Sequence, residues 1–315
     1  MQSQSASRRY KSVLPKDLGR YHLFPSRDSA PEVERATIAK AELAVLPEGI
    51  YALVGRTGDL HVLNSSRPRK AMLLFTRANA EAMRTEEKSL PFKRDELVLW
   101  LDPFFPEADA GWLAAELEYW IGRGQRLFVA NNPGHLGLLR SRGLTVVAGP
   151  YLYAFNSWAA SFLFEEGARF IVPPLEISKQ DFQRIQGAAP AAGWMPIVFS
   201  YPALFRIRAD LASAYDFSAF VDRDGSAYEI SSSGAGAGDS SGTVVTPMRP
   251  FSIVDRVPFL LKEGIDKFIL DFSAVKLTKP LYKQVMRAAL EGRLLPETGR
   301  FNWKNGFWSA EEGAT

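Results

Sequence analysis

No cysteine occurs among the 315 residues, and histidine occurs only three times. The first absence removes disulfides, thiolate-held zinc, thiolate-held iron–sulfur clusters and thiol nucleophiles. The second leaves little for a metal site, since His22, His61 and His135 lie far apart and no His-x-His or HExxH pair exists. Charge is nearly balanced, 38 Lys and Arg against 35 Asp and Glu, a net +3. That is compatible with a nucleic-acid partner but does not require one. No apolar run approaches the roughly 20 residues that cross a bilayer. The polar opening "MQSQSASRRYKSVLPKDLGRYHLF" lacks the apolar core of a signal peptide. A cytoplasmic location and no membrane partner are the expectations. Missing too are a glycine-rich dinucleotide fingerprint and a phosphate-cradling G-x-x-x-x-G-K.

With 46% hydrophobic and 23% charged residues, the chain can bury a large core. Residues 1–90 read as a polar N-terminal arm, a helix in "PEVERATIAKAELAVL", a small hairpin in "GIYALVGRTGDLHVLN" and a strand in "KAMLLFT". From residue 97 onward a pattern repeats: "YWIGRGQRLFVA", "LLRSRGLTVVAG", "LFEEGARFIVP" and "LLKEGIDKFIL". Each ends a helix, places a glycine (Gly124, Gly143, Gly167, Gly264) and enters an apolar strand. Glycine suits the left-handed position after a helix because it has no Cβ to clash. Strands apolar throughout imply burial on both faces, as in parallel sheets covered by helices. The pattern predicts helices at about 110–122, 135–142, 156–166, 179–187, 253–263 and 279–291. The fold class that follows is α/β, a TIM-type (β/α) barrel, complete or partial, over 91–315. It carries an antiparallel β insertion at about 215–250, where "DRDG" signals a turn and "SSSGAGAGDSSG" a loop tip.

In barrels the residues after each strand converge on one face, the usual seat of function. Here those segments supply Asp102, Asn131, Asn132, His135, Tyr151, Asn156, Glu176, Tyr201, Arg206, Arg208, Asp271 and Lys276. His135 suits a base near neutral pH, oriented by Glu176 or Asp271. "NNPGHL" is equally a helix start, with Asn132 capping and Pro133 opening the first turn. Glu176 and Asp102 suit a general acid/base pair, although Glu176 also stands just outside a Ser178 cap. Arg206 and Arg208 suit a phosphate or carboxylate, with Tyr201 and Phe205 as stacking faces. The alternation Phe205-Arg206-Ile207-Arg208 also fits apolar residues packing inward with both arginines in solvent.

The order of "YLYAFNSWAASFLFEEGARFIVPPLEISKQDFQRI", "MPIVFSYPALF", "FVDRDGSAYEI", "PFSIVDRVPFLLKEGIDKFILDFS" and "FNWKNGFW" resembles the peptidase U-32 family of collagenase-like proteins. Asn156, Ser157, Gly167, Glu176 and Ser178 match its strand-end and helix-start pattern, and the likeness spans residues 97–308. The resemblance implies a hydrolase, a protease of unassigned mechanism. Catalytic roles then fall to His135, Glu176 and Asp271, with binding by Asn156, Tyr201, Arg206 and Arg208. Other members hydroxylate RNA or the ubiquinone ring with a cluster on four cysteines, whose first two places fall near Phe205 and Ala212. With no cysteine here, no such cluster is expected; no other cofactor or metal is expected either, although the sequence leaves an oxygen-only magnesium site open. The alternative is therefore a non-catalytic relative that binds RNA or a partner at the strand-end rim. The family's N-terminal opening has no counterpart here, which makes a partner subunit or an upstream domain a further expected partner beside peptide or RNA.

Overall fold

The structure, a computed structural model, describes residues 38–104, 107–140, 142–177, 179–188, 193–207, 220–223, 225–233 and 242–299. All of them belong to one compact unit. Its strands are β1 (Gly49–Val54), β2 (Ala71–Phe75), β3 (Leu97–Leu101), β4 (Leu127–Ala130), β5 (Thr145–Ala148), β6 (Ala168–Ile171) and β7 (Ile197–Ser200). Then follow β8 (Phe205–Ile207), β9 (Phe220–Val221), β10 (Ala227–Ser233), β11 (Gly242–Pro247), β12 (Phe251–Ser252) and β13 (Lys267–Phe272). Nine strands form one sheet in the order β12-β7-β13-β1-β2-β3-β4-β5-β6, and only β12 is antiparallel. The edge strand β6 meets the approach to β7 through one parallel bridge, Ile171 to Trp194, and a 2.9 Å bond from Met195 N–H to the Ile171 carbonyl. Beyond that bridge β7 pairs with β12 instead. The parallel strands therefore make a TIM-type ring whose last seam is only partly closed.

Helices follow the strands in turn: α1 (Lys40–Leu43) precedes β1, and α2 (Thr57–Leu63), α3 (Arg77–Thr85), α4 (Ala110–Gly122), α5 (Pro133–Leu139), α6 (Ser157–Glu165) and α7 (Lys179–Ile185) follow β1 to β6. The pair α8 (Val257–Lys262) and α9 (Lys279–Glu291) flanks β13. Gly124, Gly143, Gly167 and Gly264 all take positive φ, at 94°, 64°, 102° and 83°. That is the left-handed turn the repeat requires between helix and strand.

Three expectations are corrected. The hairpin predicted at 49–64 is a strand and a helix, β1 and α2, because Gly55 ends the strand rather than turning it back. A Cβ on Gly55 would lie 2.2 Å from the Ser273 carbonyl oxygen, so the chain there passes directly against the end of β13. The domain boundary at 90 does not separate strands, since β1 and β2 lie between β13 and β3 in the same sheet. The insertion begins at β8, earlier than about 215, and forms a four-stranded antiparallel sheet in the order β8-β11-β10-β9.

Alternate side chains along the parallel strands separate into two cores. One set, including Tyr51, Leu53, Met72, Val98, Trp100, Val129, Val147, Phe170, Ile197 and Ile269, packs together as the ring interior. The neighbouring residues, among them Ala52, Leu73, Leu99, Phe128 and Leu270, join the layer shared with the helices. This is the period of two expected of strands. It also fixes which residues stand at the mouth.

Candidate active site

Extending the interior row by one step at the C-terminal strand ends replaces apolar residues with polar ones. Trp100 is followed two places on by Asp102, Val129 by Asn131, Val147 by Gly149 and Ile269 by Asp271. Asp102 and Asn131 are buried, and Asp271 keeps part of its surface open. Asn131 donates through Nδ2 to the Leu101 carbonyl at 2.8 Å. A Cβ on Gly149 would stand 1.8 Å from Asn131 Oδ1, so only glycine leaves room for that amide between β4 and β5.

Asp102 Oδ1 accepts from the Phe104 N–H at 3.0 Å. Both its oxygens also accept from Nη1 of Arg206, at 3.2 and 3.3 Å. Arg206 lies on β8, which follows β7, while Asp102 ends β3. With β3 third and β7 seventh of the strands around the ring, this ion pair links opposite sides of the mouth. The Asp102 side chain is 3% exposed and that of Arg206 35%. Phe205 and Ile207 are 64% and 36% exposed, so the apolar side chains of β8 do not pack inward. Arg206 is exposed on the strand as well, but its guanidinium reaches the buried Asp102 carboxylate instead of facing solvent alone. Arg208 lies outside the described residues.

Asp271 is the other carboxyl at the mouth. Its Oδ2 accepts from the buried Ser200 hydroxyl at 2.8 Å and its Oδ1 from the Ser273 N–H at 2.9 Å. Burial pushes its pKa up, against the opposing pull of Ser273, Ser200 and Arg206. Tyr151, in the turn after β5, is held at about 12 chiefly by burial, and its phenol also feels Arg206, Asp271 and Asp102. Asp102, Tyr151, Ser200, Arg206 and Asp271 therefore form one cluster drawn from strands around the ring.

The remaining candidates stand apart from that cluster. His135 is fully buried in the first turn of α5, and its Nδ1 accepts from the Asn131 N–H at 3.2 Å. Burial lowers its pKa to about 4, so the ring is neutral at pH 7. Asn156 caps α6 by accepting from the Ala159 N–H at 2.9 Å. Glu176 is exposed in the turn after β6. Tyr201 is half-buried, edge-on to Phe199 with ring centroids 5.7 Å apart. The carboxyl that shares this mouth with Asp102 is thus Asp271 rather than Glu176. Ser200 has no signal in sequence, where it reads as the last residue of an apolar strand.

The position of His135 has a measurable consequence. Its folded pKa of about 4 lies below the usual 6.5. The unfolded chain therefore binds the extra proton first, and stability falls as pH drops from 6.5 towards 4. A gap of that size corresponds to roughly 3 kcal/mol. Urea unfolding at pH 7 and pH 4 should show a smaller loss in His135→Gln than in the wild type. Equal losses would place the imidazole in contact with solvent.

No family profile and no curated protein matches the chain by sequence. Among solved structures it is similar to the U32 peptidase Mk0906, at 14% identity and a TM-score of 0.38, over 55% of this chain and 74% of that one. It is also similar to the spore cortex-lytic enzymes SleL of Bacillus megaterium QM B1551 (9% identity, TM-score 0.37) and Bacillus cereus (10%, 0.39). Those two likenesses cover 86% of this chain and 77% and 78% of the other chains.

Proposed function

We propose that the mouth is the active site of a hydrolase, a peptidase as the sequence resemblance to the U-32 family implies. One observation carries this reading: two carboxyl groups share the mouth in unlike surroundings. Asp102 is held by a guanidinium, whereas Asp271 is desolvated and its pKa raised. Environments that differ in this way mark acid/base assignments. Asp271 delivers its proton to the leaving nitrogen as the acyl C–N bond breaks, and the water that adds its hydroxyl to the acyl carbon returns its remaining proton to the Asp271 carboxylate. Asp102 fixes Arg206 across the ring, and Ser200 and the Ser273 N–H orient the Asp271 carboxyl.

Purified protein is expected to cleave gelatin, with His135→Gln and Glu176→Ala retaining cleavage. Loss of cleavage in Glu176→Ala with the fold intact, or no cleavage by the wild type, would overturn the reading. A second reading, RNA held by Arg206, draws on the guanidinium edge that Asp102 leaves open. It requires binding that weakens steeply with salt. Affinity unchanged between 50 and 200 mM salt would dispose of it.

A further inference from the structure

Arg206 spends only Nη1 on Asp102, and among the described residues its Nε and Nη2 make no hydrogen bond. The Tyr151 hydroxyl, beside it in the cluster, likewise has no hydrogen-bond partner there. Both side chains stand at the mouth that Asp271 overlooks. We propose that the Nε–Nη2 edge of Arg206 and the Tyr151 hydroxyl bind a carboxylate of the substrate, so that the enzyme selects peptides presenting a carboxylate next to the bond to be cut. The inference rests on the hydrolase reading and adds the substrate class.

Charge decides between carboxylate and phosphate. The single positive charge of Arg206 is already matched by Asp102, and Asp271 adds no positive charge. A phosphate dianion would bring two uncompensated negative charges into the mouth, whereas a monoanionic carboxylate brings one. Two parallel N–H donors also fit the planar carboxylate bidentately. The carboxylate comes from either the C-terminus or an acidic side chain.

Binding is measured calorimetrically on Asp271→Asn, which preserves the mouth but cannot deliver the proton. The probes are trialanine with a free or amidated C-terminus, and acetyl-Ala-Glu-Ala-amide against its Gln counterpart. At least one carboxylate probe should bind ten-fold or more tighter than its neutral twin, and the pair that shows it identifies the source. The preference should fall several-fold in Tyr151→Phe. It should collapse in Arg206→Lys, which keeps the charge facing Asp102 but lacks the fork. Equal binding of both twins in both pairs, no binding at all, or a preference untouched by Arg206→Lys would overturn the proposal. Carboxylate preference without turnover in the wild type would instead overturn only the hydrolase reading.

Discussion

Asp271→Asn is expected to lower the rate of peptide cleavage by about 10²–10⁴-fold, the usual worth of a positioned proton donor, while leaving the fold intact. Asparagine matches the carboxyl in shape: its Oδ1 can still accept from the Ser273 N–H while its Nδ2 donates to the Ser200 hydroxyl oxygen. The substitution also has a stability signature. Because the folded pKa of Asp271 is raised, the native state keeps its proton after the unfolded chain has lost it. Wild-type stability therefore declines as pH rises from the ordinary carboxylate range through the raised value. Asp271→Asn has no such proton to lose, so it should gain relative to the wild type across that window. A parallel pH dependence of the two proteins in urea unfolding would show that the carboxyl is solvated.

Gly55→Ala is expected to destabilise the fold by about 1–3 kcal/mol, the scale of a forced overpacking. The added Cβ would sit 2.2 Å from a backbone oxygen, that of Ser273, which has no rotamer with which to move away. Displacing Ser273 also weakens the N–H bond to Asp271 Oδ1, so the Asp271 pKa should climb further. Gly58 supplies the control three residues on. It lies inside α2 with open space where its Cβ would go. Gly58→Ala should therefore stabilise by about 0.5–1 kcal/mol. Thermal and urea unfolding of the two variants should move in opposite directions, and a neutral Gly55→Ala would mean that β1 and the end of β13 are not in contact.

Much of this architecture was legible in the sequence because glycine leaves a local mark. The helix–glycine–strand repeat located β4, β5, β6 and β13, and α4 and α9 occupy the expected residues 110–122 and 279–291. The N-terminal pair of strands was not legible as part of the barrel. "TGDLHVLN" contains as many β-formers as helix-formers, and what settles α2 is its packing beside β1, β2 and α9. The site was half legible. Asp102 and Asp271 continue the two-residue inward rows of β3 and β13, a signal present in "LVLWLD" and "FILDF". Their meeting through Arg206 depends on a pairing 104 residues apart in the chain. The alternation of β8 even pointed the wrong way: an arginine among apolar residues reads as solvent-facing until a buried carboxylate across the ring is known.

The account stands on Asp271 holding a proton at the same mouth where Arg206 meets Asp102. Carbon-13 titration of the aspartate carboxyls tests this directly. One resonance, absent in Asp271→Asn, should titrate above the ordinary carboxylate range, and it should move higher still in Arg206→Gln, which removes the opposing positive charge. If the Asp271 resonance titrates in the ordinary range, or ignores Arg206→Gln, the two carboxyls do not share a site.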